Sequence, residues 1–350
     1  MEAMIDGIKR NIRALSFENG KLKLIDQRKL PHSLEFFECK SAEDVCFAIQ
    51  NMIVRGAPLI GLAGAYGTYF AYSEFMSGRI EKKEFYKKVE MLRNARPTAV
   101  DLLNMIEMAM RATDSMRISG KYSEPAMVLE RIKQMEKGQE EACRRIGEYG
   151  EKMIRDGDCI LTHCNAGALA TIEYGTALAP IRFAHGNKKK IFVYVDETRP
   201  RLQGALTSWE LLNEGIPHKV IADNARGILM KNKKIKLVIV GADRICAKDG
   251  SFANKIGTYE IAVLAHENNI PFYVAAPIST FDFSSTEKTI PIEERSEEEV
   301  LFIDEKRIFV EGVRAYNPAF DVTPGKYVTS YITEKGILKR KELMNIMVKI

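Results

Sequence analysis

The sequence predicts an α/β protein in two parts: a mainly helical N-terminal domain with a small antiparallel sheet, then a C-terminal domain built on a parallel sheet. Three observations lead there. The chain has 350 residues, too many for one ordinary small domain and suited to two. Up to Asp156 the apolar residues recur mainly at helical spacing, whereas from Asp158 short apolar runs alternate with helical stretches. Hydrophobic residues make up 46% and charged residues 28%, the balance of a globular chain with a sizeable core.

The N-terminal elements follow in order. Residues 14–18 and 21–26 flank Asn19-Gly20, a pair suited to the tight turn of a hairpin. Ser41, with Asp44 three residues on, resembles a capping box and starts a helix to about Met52. Residues 58–72 are apolar and rich in Ala and Gly, as in a closely packed buried helix. Residues 98 to about 116 and 124–156 carry helical periodicity and good helix formers. The second is long and charged and reads as a connector. The expected boundaries are a helical domain over 1–125, a connecting helix over 126–156 and a second domain over 157–350.

In that second domain the expected strands are 159–162, 191–195, 219–222, 237–240 and 272–276. Helices are expected near 169–179, 203–213, 224–230 and 256–268. Short buried strands separated by helices imply a Rossmann-like parallel sheet with right-handed crossovers. Ligands of such sheets lie beyond the carboxyl ends of the strands. There the chain is polar and unusual: Thr162-His163-Cys164-Asn165-Ala166-Gly167, Asp196-Glu197-Thr198-Arg199-Pro200, Asp223-Asn224, Gly241-Ala242-Asp243-Arg244 and Pro277-Ile278-Ser279-Thr280. That coincidence points to an active site.

Several classes are disfavoured. The net charge of +5 is spread along the chain, without the concentrated basic stripe and interleaved aromatics of a nucleic-acid binder. No apolar run reaches the roughly 18 residues that would cross a bilayer. The first residues lack a basic segment followed by an apolar one, so no secretory signal is expected and the chain reads as cytoplasmic. None of the six cysteines forms a C-x-x-C pair, and no Cys/His group has zinc-ligand spacing. Neither a metal nor a cofactor is expected.

Cys164 falls at an expected strand-to-helix junction, where the helix dipole would lower its pKa and make it a base or nucleophile. A lone cysteine is by default a buried structural thiol; His163, Asn165 and Gly167 beside it favour function. Asp243 ends the run Val238-Ile239-Val240-Gly241-Ala242-Asp243. An apolar pocket there would raise its pKa and let it donate a proton at neutral pH. The position equally suits a helix cap or a partner for Arg244. Arg55-Gly56-Ala57-Pro58 resembles an anion site at a helix start, and Arg96-Pro97-Thr98 repeats the logic. Asn254-Lys255, expected to open a helix, offers another donor pair. The Asp196 to Pro200 loop could supply acid/base carboxylates or a magnesium site, although such loops are more often self-satisfied networks.

Taken together, Arg55-Gly56-Ala57-Pro58 with Gly61 and Ala65-Tyr66-Gly67, Arg96-Pro97-Thr98, Thr162 to Gly167, Asp196 to Pro200 with Gln203-Gly204-Ala205, Gly241 to Arg244, Asn254 to Tyr259, Ile290 to Arg295 and Tyr316 to Pro324 closely resemble the methylthioribose-1-phosphate isomerase family of methionine salvage. The resemblance runs in order from about residue 40 to about residue 340. It implies an enzyme that converts 5-methylthioribose 1-phosphate to 5-methylthioribulose 1-phosphate. Cys164 and Asp243 would be catalytic, and Arg55, Gly56, Ala57, Arg96, Gln203, Asn254 and Lys255 would hold the sugar phosphate. A homodimer is also implied. The wider superfamily includes ribose-1,5-bisphosphate isomerase, which keeps the catalytic pair, and regulatory subunits of a translation-initiation exchange factor, which generally lack it. Two departures stand out: Ala166 where the family usually has Thr or Ser, and an unusual 241–254 loop.

Overall fold

The computed structural model describes residues 1–5, 8–96, 99–114 and 122–349. They divide into two compact units, Met1–Arg144 with Gly167–Gly175, and Arg145–Ala166 with Thr176–Ile350.

In the first unit, β1 (Glu2–Ile5) and β2 (Ile8–Asn11) form an antiparallel ribbon. Strands β3 (Leu15–Glu18), β4 (Lys21–Ile25) and β5 (Phe36–Cys39) form a three-stranded antiparallel sheet. The predicted hairpin is present: Glu18 pairs with Lys21, and Asn19 and Gly20 both have positive φ, as a two-residue primed turn requires. Helix α1 (Ala42–Gln50) is capped as expected, Ser41 Oγ accepting the Asp44 N–H at 3.1 Å. Asp44 in return accepts the Lys40 N–H, one residue earlier than in a standard capping box.

Helix α2 (Ala57–Met76) is buried from Ala57 through Thr68. Its glycines allow close packing: a Cβ on Gly61 would lie 2.8 Å from the Asp101 carbonyl oxygen. Helix α3 (Lys82–Arg93) was not anticipated, although Phe85, Val89 and Leu92 bury one face at i, i+4, i+7 spacing. Helix α4 (Val100–Asp114) matches expectation within the described residues. Helix α5 (Pro125–Gly150) ends in a 3-10 turn at Glu151–Met153, and Ile154 is extended, so the connecting helix is shorter than predicted. Val128, Ile132 and Met135 of α5 join the core formed with α2 and α4.

In the second unit the chain runs β6 (Cys159–Thr162), α6 (Leu178–Gly186), β7 (Phe192–Asp196), α7 (Gln203–Asn213), β8 (His218–Ile221), α8 (Arg226–Lys231) and β9 (Leu237–Val240). It continues through β10 (Arg244–Cys246), β11 (Phe252–Lys255), α9 (Thr258–Glu267), β12 (Phe272–Ala275), β13 (Phe281–Asp282), α10 (Glu298–Leu301) and the short hairpin β14 (Phe302–Ile303) and β15 (Lys306–Arg307). Strands β16 (Phe320–Thr323), β17 (Ser330–Thr333) and β18 (Gly336–Leu338) complete it.

The main sheet has the order β18-β17-β12-β9-β6-β7-β8, parallel throughout except for β18. Counting its six parallel strands along the chain gives the 3-2-1-4-5-6 order of the Rossmann fold. Leu237 and Ile239 of β9 face one core cluster, Val238 and Val240 the other. Both faces are therefore covered, as a parallel sheet demands. The expected 241–254 loop instead carries the antiparallel pair β10–β11, part of a second sheet ordered β13-β10-β11-β16.

One expected helix is absent. Residues 168–176 hold only a 3-10 turn at Ala168–Ala170, and α6 starts at Leu178. Tyr174 and Gly175 both adopt positive φ, which breaks a helix. Within the first unit, Gln27 Nε2 donates to the Leu169 carbonyl at 2.6 Å and Ile172 joins the core. Tertiary contacts have overridden local preference here.

Candidate active site

The parallel sheet fixes where chemistry can occur in the second unit. From β6 the chain winds outward through β7 and β8, then returns to place β9 on the opposite side of β6. The switch point thus lies between β6 and β9, where the two crossover directions part and a crevice opens. Cys164 follows β6 and Asp243 follows β9. Adjacent strands carry both expected catalytic residues to the same edge.

Cys164 is half-buried and has a φ of 62°, a left-handed conformation that costs a non-glycine residue about 1–2 kcal/mol. Contrary to expectation, no α-helix begins directly behind it; a 3-10 turn at Ala168–Ala170 follows and α6 starts only at Leu178. Its backbone is held by hydroxyls instead. The Cys164 N–H donates to Thr198 Oγ1 at 2.9 Å, and its carbonyl accepts from Thr207 Oγ1 at 2.8 Å. Thr198 is itself left-handed, with the N–H groups of Thr198 and Arg199 both donating to the Asp223 carboxylate.

Asn165, also buried, donates through Nδ2 to Glu210 Oε1 at 2.8 Å and Thr207 Oγ1 at 3.1 Å. Glu210 is fully buried and pairs through Oε2 with Arg182, whose Nε reaches Glu214. Arg182 is pushed above its ordinary pKa by these two carboxylates, against the opposing effect of its burial. Gln203, Thr207 and Glu210 form a buried polar stripe on α7. Gln203 is 3% exposed, and its Oε1 has no hydrogen-bond partner, which fits a residue expected to meet a ligand. Helix α7 can start this close to β7 only because residue 204 is glycine: a Cβ there would lie 2.0 Å from the Asp196 carbonyl oxygen.

The His163 ring turns into the protein. Its Nδ1 lies 2.9 Å from Asp196 Oδ2 and its Nε2 lies 2.9 Å from the Ile256 carbonyl. Arg226 Nη1 donates to the same Asp196 oxygen at 2.8 Å, and all three side chains are at least 97% buried. His163, Asp196 and Asp223 are close enough to suggest a cation site. The donor set does not suit a metal, because the Arg226 guanidinium already supplies the positive charge and Asp223 is engaged by two backbone N–H groups.

Asp243 is half-buried, and strand β10 rather than a helix follows it, so it is no helix cap. Arg244 reaches Asp282 at 3.3 Å. The Asp243 N–H donates to the Ala253 carbonyl, which brings Asn254 beside it. Asn254 and Lys255 end strand β11 and do not open a helix; α9 starts at Thr258, after Gly257 makes the turn at a φ of 100°. Two β-pairing neighbours, β10 and β16, draw this segment into extended form. Asn254 donates to Thr258 Oγ1, and Lys255 Nζ donates to the Ala319 carbonyl while lying 4.6 Å from the Phe320 ring centre.

The remaining expected residues lie in the first unit. Gly56 is the N-cap of α2, with Ala57 and Pro58 in its first turn and no side chain capping it. Such a terminus offers N–H donors and a favourable dipole to an anion. Gly56 has a φ of 93°, and a Cβ there would lie 2.5 Å from the Ala170 carbonyl oxygen. Arg55 and Arg96 are both buried, and Arg96 Nη1 reaches Met52 Sδ at 3.2 Å, three residues before Arg55. Pro97 and Thr98 lie outside the described residues.

Thr198 lies in the loop the sequence singles out and acts there as part of a self-satisfied network, whereas Thr207, Glu210 and Arg226 carry no such mark in the sequence. The usable signal was the spacing of Gln203, Thr207 and Glu210, which puts three polar groups on one helical face.

Comparison with known proteins adds an independent line. The sequence profile of the Initiation factor 2 subunit family matches residues 53–340. A Methanocaldococcus jannaschii protein provisionally named methylthioribose-1-phosphate isomerase is 52% identical, over 96% of this chain and 99% of its own. The Caldicellulosiruptor saccharolyticus protein named methylthioribose-1-phosphate isomerase is 48% identical, over 93% and 96%. Among solved structures, 5-methylthioribose 1-phosphate isomerase from Pyrococcus horikoshii superposes with a TM-score of 0.86 at 39% identity, over 97% of this chain and 96% of that one. A structure described as translation initiation factor eIF-2B, subunit delta, from A. fulgidus superposes at 0.81 with 43% identity, over 96% and 98%.

Proposed function

The chain belongs to the Initiation factor 2 subunit family, and we propose that within it this protein is a methylthioribose-1-phosphate isomerase of methionine salvage. It would convert 5-methylthio-α-D-ribose 1-phosphate to 5-methylthio-D-ribulose 1-phosphate. The observation that carries the reading is the delivery of Cys164 and Asp243 past adjacent strands at the switch point of the sheet. Relatives of near-equal length named for this activity support it.

The chemistry demanded is redox-neutral. Phosphate on C1 locks the aldose as a ring, so the ring must open before hydrogen can move from C2 to C1. In our reading Asp243 protonates the departing ring oxygen and shuttles the proton, while Cys164 assists transfer between the two carbons. An apolar surrounding would keep Asp243 protonated and shield an enediolate-like intermediate from water. Arg55, Gly56, Ala57, Arg96, Gln203, Asn254 and Lys255 would hold the substrate, chiefly its phosphate. The uncapped start of α2 and the unpartnered amide oxygen of Gln203 support those roles.

The same reading makes the protein cytoplasmic and homodimeric. All six cysteines are free thiols, consistent with a reducing compartment, and no described helix is long and apolar enough to cross a membrane. Between residues 308 and 316 the chain exposes Ile308, Phe309, Val310, Val313 and Tyr316, the last of these and Val310 each to 76%, apolar groups that a second copy could cover.

The test is turnover of 5-methylthioribose 1-phosphate and ribose 1,5-bisphosphate by purified protein, followed by NMR. Preference for the methylthio sugar is expected. Preference for the bisphosphate would move the enzyme to that substrate. The likeness to an initiation-factor subunit favours one competing reading, a binding protein, which would bind without turnover. Cys164→Ser and Asp243→Asn should each lower turnover about 10²–10⁴-fold, the usual worth of a general acid or base, with unchanged melting. Normal activity in either variant would remove that residue from the chemistry.

A further inference from the structure

We infer that Thr207 and Thr198 are positioning residues: their hydroxyls clamp the two peptide groups flanking Cys164 and so aim its thiol. The inference rests on the catalytic reading of Cys164. A left-handed cysteine persists only where its surroundings over-determine it. Here each hydroxyl uses both its donor and its acceptor capacity. Thr198 Oγ1 accepts from the Cys164 N–H and donates to the Asp196 carbonyl at 3.1 Å. Thr207 Oγ1 donates to the Cys164 carbonyl and accepts from Asn165 Nδ2.

The clamp is anchored on both sides. Asp223 holds the turn containing Thr198 through two backbone N–H groups. Glu210, one helical turn beyond Thr207, holds Asn165 and is itself neutralised by Arg182. Both Glu210 oxygens are engaged, Oε1 by Asn165 and Oε2 by Arg182, which offsets the cost of burying the charge. Residue 164 without the clamp returns to negative φ, which swings the Cβ–Sγ arm away from its present direction. A displacement of about 1 Å is enough to cost on the order of 10²-fold in rate.

The experiment compares Thr207→Val, which keeps shape and removes the hydroxyl, with Thr207→Ser, which keeps the hydroxyl. We expect Thr207→Val to lower kcat roughly 10- to 100-fold with KM within about threefold, and Thr207→Ser to restore most of the rate. Equal impairment in both variants, an unchanged kcat in Thr207→Val, or a KM rise that accounts for the whole loss would each overturn the clamp. Should Thr207→Val fail to fold, Thr207→Ala is read against the same criteria. A second readout needs no turnover: peptide mapping after iodoacetamide treatment should give an altered alkylation rate at Cys164 in Thr207→Val but not at Cys159. An unaltered Cys164 rate overturns the proposal. Full turnover in Cys164→Ser would instead sink the catalytic reading and leave the alkylation result to judge the clamp.

Discussion

Burial pushes the Asp321 carboxyl from an ordinary value of 3.8 up to about 6, although the Gly257 and Tyr259 N–H groups donate to it and His163 and Arg226 lie close enough to oppose the shift. An acid whose folded pKa is raised costs the fold nothing below the unfolded value. Stability is then lost as pH rises from near 4 through about 6, by at most about 3 kcal/mol. Asp321→Asn keeps an acceptor for both N–H groups and cannot ionise. Chemical denaturation at pH 4.5 and 7.5 should show the variant gaining on the wild type at the higher pH; parallel pH dependence would show that Asp321 is not the group responsible. Other titratable residues are simpler: burial raises the Cys39 thiol to about 12 and Cys246 to about 11, which leaves them unreactive. At this scale a residue's place in the sequence marks it as a candidate more readily than its burial does. Cys164 and Asp243 could be singled out because each follows an apolar run in a polar loop. Thr207 and Glu210 could not, because a polar residue on a helix reads as solvent-facing until its burial is known.

Two helices owe their positions to single glycines. Gly204 lets α7 begin against the end of β7, and Gly56 lets α2 begin against Ala170. Gly204→Ala would force backbone apart at a 2.0 Å contact and should cost roughly 1–3 kcal/mol, the usual effect of overpacking. Because Gln203 and Thr207 ride on α7, turnover should fall along with the melting temperature; an unchanged melt would mean the helix relaxes freely. Gly56→Ala meets both a clash and an unfavourable φ, and should raise KM for the sugar phosphate if the start of α2 holds its anion. Elements with one dominant period were legible in the sequence: β9 and α7 match expectation to the residue, and the Asn19-Gly20 hairpin is where its turn chemistry put it. Failures came where tertiary contacts decide. Residues 168–176 look helical but pack as an irregular segment, and Asn254-Lys255 is claimed by neighbouring strands. The amphipathic stripe of α3 is present in the sequence as Phe85, Val89 and Leu92, set among charged residues.

The whole-molecule pattern was only half legible. Periodicity reveals that strands alternate with helices, but not their order across the sheet, and the position of the switch point between β6 and β9 depends on that order. The second sheet, assembled from β10, β11, β13 and β16, was invisible because its strands are short and two of them, β13 and β16, come from far along the chain. The exposed apolar residues from Ile308 to Tyr316 carry a prediction at this scale. If they cover one another in a homodimer, Val310→Asp with Tyr316→Asp should halve the mass measured by light scattering; a dimer that survives both changes must use another surface.

The first unit also draws Gly167–Gly175 from beyond the start of the second, and Ile172 completes its core. During synthesis this core stays unfinished after Arg144 has been made. It waits for the stretch ending at Gly175, a delay of roughly 2–6 s at about 5–20 residues per second. Within that interval β6 is also made, so the nascent chain must commit a strand of one unit before it can close the other. A fragment stopped at Arg144 would cut α5 short of Gly150 and lack the plug that seals the core.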